Sequence, residues 1–113
     1  GGREQVTGSC HELVVDGNNS VLVDCGLFQG EGREDQAIDF PVGLIRALVL
    51  THVHLDHAGR LPWLFAAGFR GAVLCSEPSA VLLPLVLEDA LKVGVTRNRR
   101  LIASFIKQLR GRL

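Results

Sequence analysis

The chain has 113 residues, 47% of them hydrophobic, and its 12 basic and 12 acidic side chains balance to zero net charge. That length excludes more than one domain and leaves room for a modest core. Neutrality excludes a whole-molecule electrostatic pull on nucleic acid, and no apolar run approaches the roughly 18 residues of a membrane-spanning helix. No secretory leader is visible, so the expectation is a soluble chain with no membrane partner.

Taken in order, residues 1–8 read as a loop. Residues 9–15 alternate weakly, with Cys10, Glu12 and Val14 opposed to His11, Leu13 and Val15, and predict a strand. Asp16-Gly17-Asn18-Asn19 is a turn signal. A second strand follows over residues 20–24 with Val21-Leu22-Val23 at its buried centre, and the pair predicts an antiparallel hairpin. Gly26-Leu27-Phe28-Gln29-Gly30 predicts a tight loop. Residues 31–40 are polar and irregular, with at most one helical turn and a solvated Glu34-Asp35. Ile45-Arg46-Ala47-Leu48-Val49-Leu50 is apolar, partly β-branched, and predicts a buried strand.

Polarity begins abruptly at the end of that strand. Three of the four histidines of the chain fall in Leu50-Thr51-His52-Val53-His54-Leu55-Asp56-His57-Ala58-Gly59. His52 and His54 are two residues apart, so in an extended segment they point the same way. Asp56 and His57 follow at once. A lone histidine beside an apolar strand is ordinarily a satisfied core or surface residue. Imidazoles and a carboxylate crowded at a strand end are instead what a zinc-type ion needs, borderline nitrogen ligands with a hard oxygen. Strand carboxyl ends are also where α/β sheets bind ligands.

After His57 the pattern predicts a helix through Leu61, Leu64, Phe65 and Ala67, with Pro62 in its early turns and a stop at Gly68. Ala72-Val73-Leu74-Cys75 predicts a short strand, parallel to the preceding one because the order is strand, helix, strand. Ser76 and Pro78 open a helix that is apolar nearly all round over residues 80–91, which predicts burial on more than one side and a kink or interruption at Pro84. Thr96 or Asn98 caps a last helix with the stripe Leu101, Ile102, Phe105, Ile106 and Leu109. No acid follows Asp89, whereas Lys92, Arg97, Arg99, Arg100, Lys107, Arg110 and Arg112 do. Such a face is ordinarily only solvated, but it can also touch phosphates. The three cysteines, Cys10, Cys25 and Cys75, are odd in number and lack Cys-x-x-Cys spacing, which predicts free thiols and a reducing, cytoplasmic location.

His-x-His-x-Asp-His between an apolar strand and a helix resembles the signature of the metallo-β-lactamase fold. The flanks Val6-Thr7-Gly8-Ser9-Cys10-His11, Val23-Asp24-Cys25-Gly26-Leu27-Phe28-Gln29-Gly30, His57-Ala58-Gly59-Arg60-Leu61-Pro62 and Gly68-Phe69-Arg70-Gly71 resemble its β-CASP branch, which contains nucleases that process RNA and some that process DNA. The resemblance implies a partial α/β metallo-β-lactamase fold, about half of the αββα sandwich: an N-terminal hairpin, a βαβ unit, then two helices. Residues 1–113 would be the N-terminal part of such a domain, without the later ligand motifs and the β-CASP cap.

The resemblance also implies chemistry. In the complete family domain two metal ions, commonly zinc, lie close together, with His52 and His54 ligating one and Asp56 and His57 the other. A metal-bound hydroxide attacks phosphorus, with Asp56 and His57 as the catalytic pair and Asp56 orienting the water. Asp24 supports the histidine loop by hydrogen bonding, and His11 is structural. This motif offers two ligands per ion, against about three protein ligands at a catalytic zinc. The isolated chain is therefore expected to be inactive and to bind metal weakly. The alternatives are another hydrolase of the same fold, acting on thioesters or lactams, and a non-catalytic fragment that self-associates through exposed apolar surface.

Overall fold

The computed structural model describes residues 9–26 and 37–113. The loop expected over residues 1–8, most of the tight loop after Gly26, and most of the polar segment after it lie outside the described residues. The remainder forms a four-stranded sheet in the order β1-β2-β3-β4.

β1 (His11–Asp16) and β2 (Asn19–Val23) make the antiparallel hairpin. Asp16 fixes its turn: the carboxylate accepts from the Asn18 backbone N–H at 2.8 Å and from the Asn19 side-chain amide at 3.0 Å. These bonds, the Asn18 N–H foremost, hold the Asp16 carboxyl below its ordinary range. β3 (Ile45–Val49) runs parallel to β2, and β4 (Ala72–Leu74) parallel to β3. The Leu50 N–H still reaches the Leu74 carbonyl at 2.8 Å, so the ladder persists one residue past β3.

The single helix expected between β3 and β4 is two short ones, α1 (Leu55–Ala58) and α2 (Leu61–Ala66). Two local causes break it. Pro62 has no N–H to return to the preceding turn. The Arg60 N–H is taken by the Cys25 carbonyl at 2.9 Å, so a tertiary bond replaces a helical one. α2 ends as predicted at Gly68, whose φ of +107° is a conformation that side chains rarely adopt.

α3 (Glu77–Gly94) is capped by Ser76, which accepts from the Ser79 N–H. It runs through Pro84 without interruption, contrary to expectation. Proline costs a helical hydrogen bond, but here its ring is buried, as are Leu83, Leu87 and Leu91 of the same helix, so burial offsets that cost. The expected burial on more than one side is also not met: Val81, Leu82 and Leu85 face solvent. α4 (Arg99–Arg112) is capped by Asn98, whose side chain accepts from the Arg100 and Leu101 N–H groups at 3.0 and 3.2 Å. Ile102, Phe105, Ile106 and Leu109 form its buried stripe, whereas Leu101, in the first turn, is exposed. The core gathers Leu22, Leu48, Leu61, Leu64, Phe69, Val73, Leu83, Leu87 and Leu109. Among the described residues no helix is long and apolar enough to cross a membrane.

Candidate metal centre

Because β2 and β3 are parallel, their carboxyl ends lie side by side, and the segments leaving them are forced together. The Asp24 N–H bonds the Val49 carbonyl at 2.8 Å, and the chain then turns left-handed at Asp24, with φ 63°. An L-residue pays roughly 1–2 kcal/mol for that region, though aspartate tolerates it better than most. The turn breaks strand alternation, so Asp24, Cys25 and Gly26 are buried in succession.

The Asp24 carboxylate is the hub of the site. Oδ1 accepts from the Thr51 backbone N–H at 2.8 Å. Oδ2 accepts from Thr51 Oγ1 at 2.7 Å, pairs with His57 Nδ1 at 2.9 Å, and receives Ser9 Oγ at 3.3 Å. Burial pushes its pKa up, but the hydrogen bonds from Thr51 and His57 outweigh burial and hold the carboxyl below its ordinary range.

Proton positions follow from these donors. The Thr51 hydroxyl has one hydrogen, and the carboxylate at 2.7 Å takes it. His52 Nδ1, 3.0 Å from Thr51 Oγ1, must then donate to that oxygen. His57 Nδ1 donates to Asp24. In a neutral imidazole engaged in this way through Nδ1 the lone pair lies on Nε2, the arrangement in which a carboxylate or hydroxyl behind a histidine orients it toward a cation.

The structure brings His52, His54, Asp56 and His57 to one patch at this sheet edge. The His52 and His57 ring centroids are 4.6 Å apart, and those of His52 and His54 are 6.2 Å apart with planes 18° from parallel. His57 Nε2 lies 3.6 Å from Asp56 Oδ2. His54 precedes α1 and its side chain makes no capping bond there. In kind these donors fit a zinc-type ion. In geometry they remain pairs: among the described residues no three His, Cys, Asp or Glu side chains converge to hold an ion. His11 is exposed on β1 and outside the patch.

A second layer suspends α1. The Ser9 N–H bonds the Asp56 carbonyl at 2.7 Å, and the Cys25 N–H bonds the His57 carbonyl at 2.6 Å. Gly26 lies so close that a Cβ there would overlap the Asp56 carbonyl oxygen. Buried Arg60 donates through Nε to the Gly26 carbonyl at 2.6 Å. Thr51, Ser9 and Arg60 are the contributors that pattern reading missed. Thr51 carried a signal as the first polar residue after an apolar strand, and Ser9 and Arg60 carried one only as members of the flanks that resemble the β-CASP branch.

A mixed sheet whose parallel strands deliver a histidine-rich loop at their carboxyl ends is a scaffold that gathers metal-ligating residue types at one place. The chain belongs to the metallo-beta-lactamase superfamily, whose family model matches residues 8–109. Membership implies metal ions as cofactors. Ribonuclease TTHA0252 of Thermus thermophilus is 48% identical over 95 residues, which are 82% of this chain and 22% of that protein. Transcription termination factor FttA of Cenarchaeum symbiosum is 37% identical over 106 residues, 88% of this chain and 16% of that one. Cleavage and polyadenylation specificity factor subunit 3-II of Arabidopsis thaliana is 29% identical over 107 residues, 87% and 17% respectively. The chain thus spans about a fifth of the length of these relatives, whose names are in keeping with the RNA-processing branch that the flanking motifs resemble.

Proposed function

We propose that this chain supplies the first half of the active site of a metal-dependent ribonuclease that cleaves phosphodiester bonds in RNA. The observation that supports the reading is the Asp24–Thr51–His57 network, which engages His52 and His57 through Nδ1 and leaves Nε2 as the coordinating atom of the neutral rings. His52 and His54 would hold one ion, and Asp56 and His57 would hold the other. Zinc is the ion proposed, since imidazole-rich sites suit it. When bound, such ions lower the pKa of a coordinated water toward neutrality and neutralise charge growing on the phosphoryl oxygens. Asp56, exposed beside His57, orients the attacking water, and Asp24 keeps the His57 ring and tautomer fixed.

RNA as the substrate is supported by the relatives' names and by local charge. A groove of about 940 Å³ between α3 and α4 is lined by Lys92, Arg97, Arg99, Lys107 and Arg110, with Glu88 as its acidic member. That gives a positive patch on a chain of zero net charge. A cytoplasmic location is part of the proposal, supported by three free cysteines. With two ligands offered per ion, the isolated chain binds zinc weakly and does not turn over.

The test is a graft. Residues 9–109 replace the matching segment of the Thermus ribonuclease, and the chimera is assayed on single-stranded RNA and on a thioester. RNA cleavage that requires divalent metal and falls at least about 10³-fold in His57→Ala and Asp56→Ala is expected. A folded, metal-loaded chimera that hydrolyses the thioester and leaves RNA intact would sink the reading.

A further inference from the structure

The basic groove between α3 and α4 does not end on those two helices. Thr96 and Ile102 of its wall also line a second hollow, of about 400 Å³, beside Trp63 of α2. Pro62, Trp63, Leu91 and Val95 are shared in turn with a third hollow, of about 460 Å³, which reaches Leu55 and Gly59 at the two ends of α1. Leu55 stands between His54 and Asp56 of the histidine patch. The three hollows thus form one continuous track from α4 to the histidine loop. Its two ends differ in chemistry. In the groove, Lys92, Arg97, Arg99, Lys107 and Arg110 meet one acid, Glu88, which pairs with Lys92 at 3.1 Å. Among the described residues Arg97, Arg99, Lys107 and Arg110 make no ion pair, so their charges are open to an anion. Toward the loop the walls are mainly apolar, and Asp89 is the charged residue there. Trp63 is half-buried and lies outside the core cluster, so its indole is available to whatever enters.

We propose that single-stranded RNA lies along this track, with its phosphates on the five cations and a base stacked on Trp63, so that the strand is led to the histidine patch. That the strand is RNA rests on the function proposed above; that a single strand fits rests on the track itself. A row of cations follows a phosphate backbone, and an aromatic face accepts any unpaired base. A duplex keeps its bases stacked on one another and has none to offer the indole. An acidic peptide matches the cations but brings no planar ring to Trp63, and a flat bilayer does not enter a groove. Asp89 repels phosphate at the loop end, so the strand presents a base rather than its backbone in that hollow. Trp63 is then a positioning residue, which sets where along the strand the histidine patch falls.

The test is binding of an oligouridylate of about 12 nucleotides to the chain in EDTA, where nothing is cleaved. Fluorescence anisotropy of the labelled strand gives the affinity. The chain has one tryptophan, so its intrinsic fluorescence reports on Trp63 alone, and unlabelled strand should quench it in step with binding. Affinity should fall about 10²-fold between about 50 and 200 mM salt, the dependence of roughly five phosphate contacts on a single strand. Arg99→Ala should lower the log–log salt slope by about 0.7. Trp63→Ala should weaken binding about tenfold at an unchanged slope, and Trp63→Phe should recover most of it, each variant being checked by circular dichroism. Duplex RNA of the same length, polyglutamate and anionic vesicles should each bind at least about tenfold more weakly. Equal binding of any of these three, or RNA binding that leaves Trp63 unquenched, overturns the proposal. Because no cleavage is read, that failure is separable from failure of the ribonuclease reading, which the chimera decides.

Discussion

At Asp24 one carboxylate accepts from the Thr51 N–H, the Thr51 hydroxyl and His57, while its own backbone sits in the left-handed region. Asparagine tolerates that backbone equally well, so Asp24→Asn isolates the charge. Hydrogen bonds to charged groups contribute about 1.5–3 kcal/mol each, and a loss of about that size is expected at neutral pH. Because the folded carboxyl lies below its ordinary range, its contribution is complete above the unfolded value of about 4. It fades as the pH falls through the depressed folded value. The gap between parent and variant in urea unfolding should therefore be constant from pH 7 to about pH 5 and narrow toward pH 3. An equal gap at pH 7 and pH 3 would show that the charge is not what stabilises. Asp24 itself was legible, as an aspartate at a strand end beside a glycine in a familiar flank. Its left-handed backbone was not, because φ at one residue is set by a tertiary demand: Val49 must be paired on one side and Thr51 and His57 reached on the other. Gly26 is the complementary case, a glycine whose need appears only once the Asp56 carbonyl is packed against it.

Among the elements, β1 to β4, α3 and α4 could be read from periodicity and caps, because those signals are local. Local signals fail where distant partners decide. Arg60 breaks the helix after His57 because Cys25 and Gly26, far away in sequence, capture its N–H and guanidinium. Pro84 is tolerated in α3 because its ring has core to fill. Docking of α4 shows the same dependence. Its last-turn Arg112 donates through Nη1 to the Phe69 carbonyl at 2.6 Å and lies 4.3 Å from the Phe65 ring centroid. Phe65 also meets Phe105 edge-on at 5.2 Å, so Arg112 closes a cluster joining α4 to α2. A cation over an aromatic face contributes about 0.5–1 kcal/mol at an exposed site. Together with the lost hydrogen bond, Arg112→Ala is expected to cost about 1.5 kcal/mol. That is a fall in Tm of roughly 6–12 °C for a domain of this size. Arg112→Lys should recover only part, since lysine lacks the planar fork. A full recovery by lysine in thermal unfolding would reduce the contact to charge alone.

Across the molecule, the apolar fraction of 47% exceeds what this fold buries in its own core. Leu13, Val14 and Val15 on β1 are 58%, 73% and 66% exposed, and Val81, Leu82 and Leu85 lie open on α3. Among the described residues β1 is one of the two edge strands of the sheet, so the backbone groups of its outer side and its apolar side chains are presented together. An edge of that kind is a template for another strand, and each valine taken out of water contributes about 1.5 kcal/mol or more. The isolated chain is accordingly expected to self-associate through β1. Small-angle scattering should give a radius of gyration that rises with concentration above the 13.5 Å of the single chain. Val14→Lys places a charge on the strand edge at an already exposed position, which natural sheets use to block such pairing. It should bring the chain back toward the single-chain radius without lowering its unfolding midpoint. If the parent's radius is the same at every concentration, the β1 edge is not a self-association surface, and its apolar residues call for another explanation.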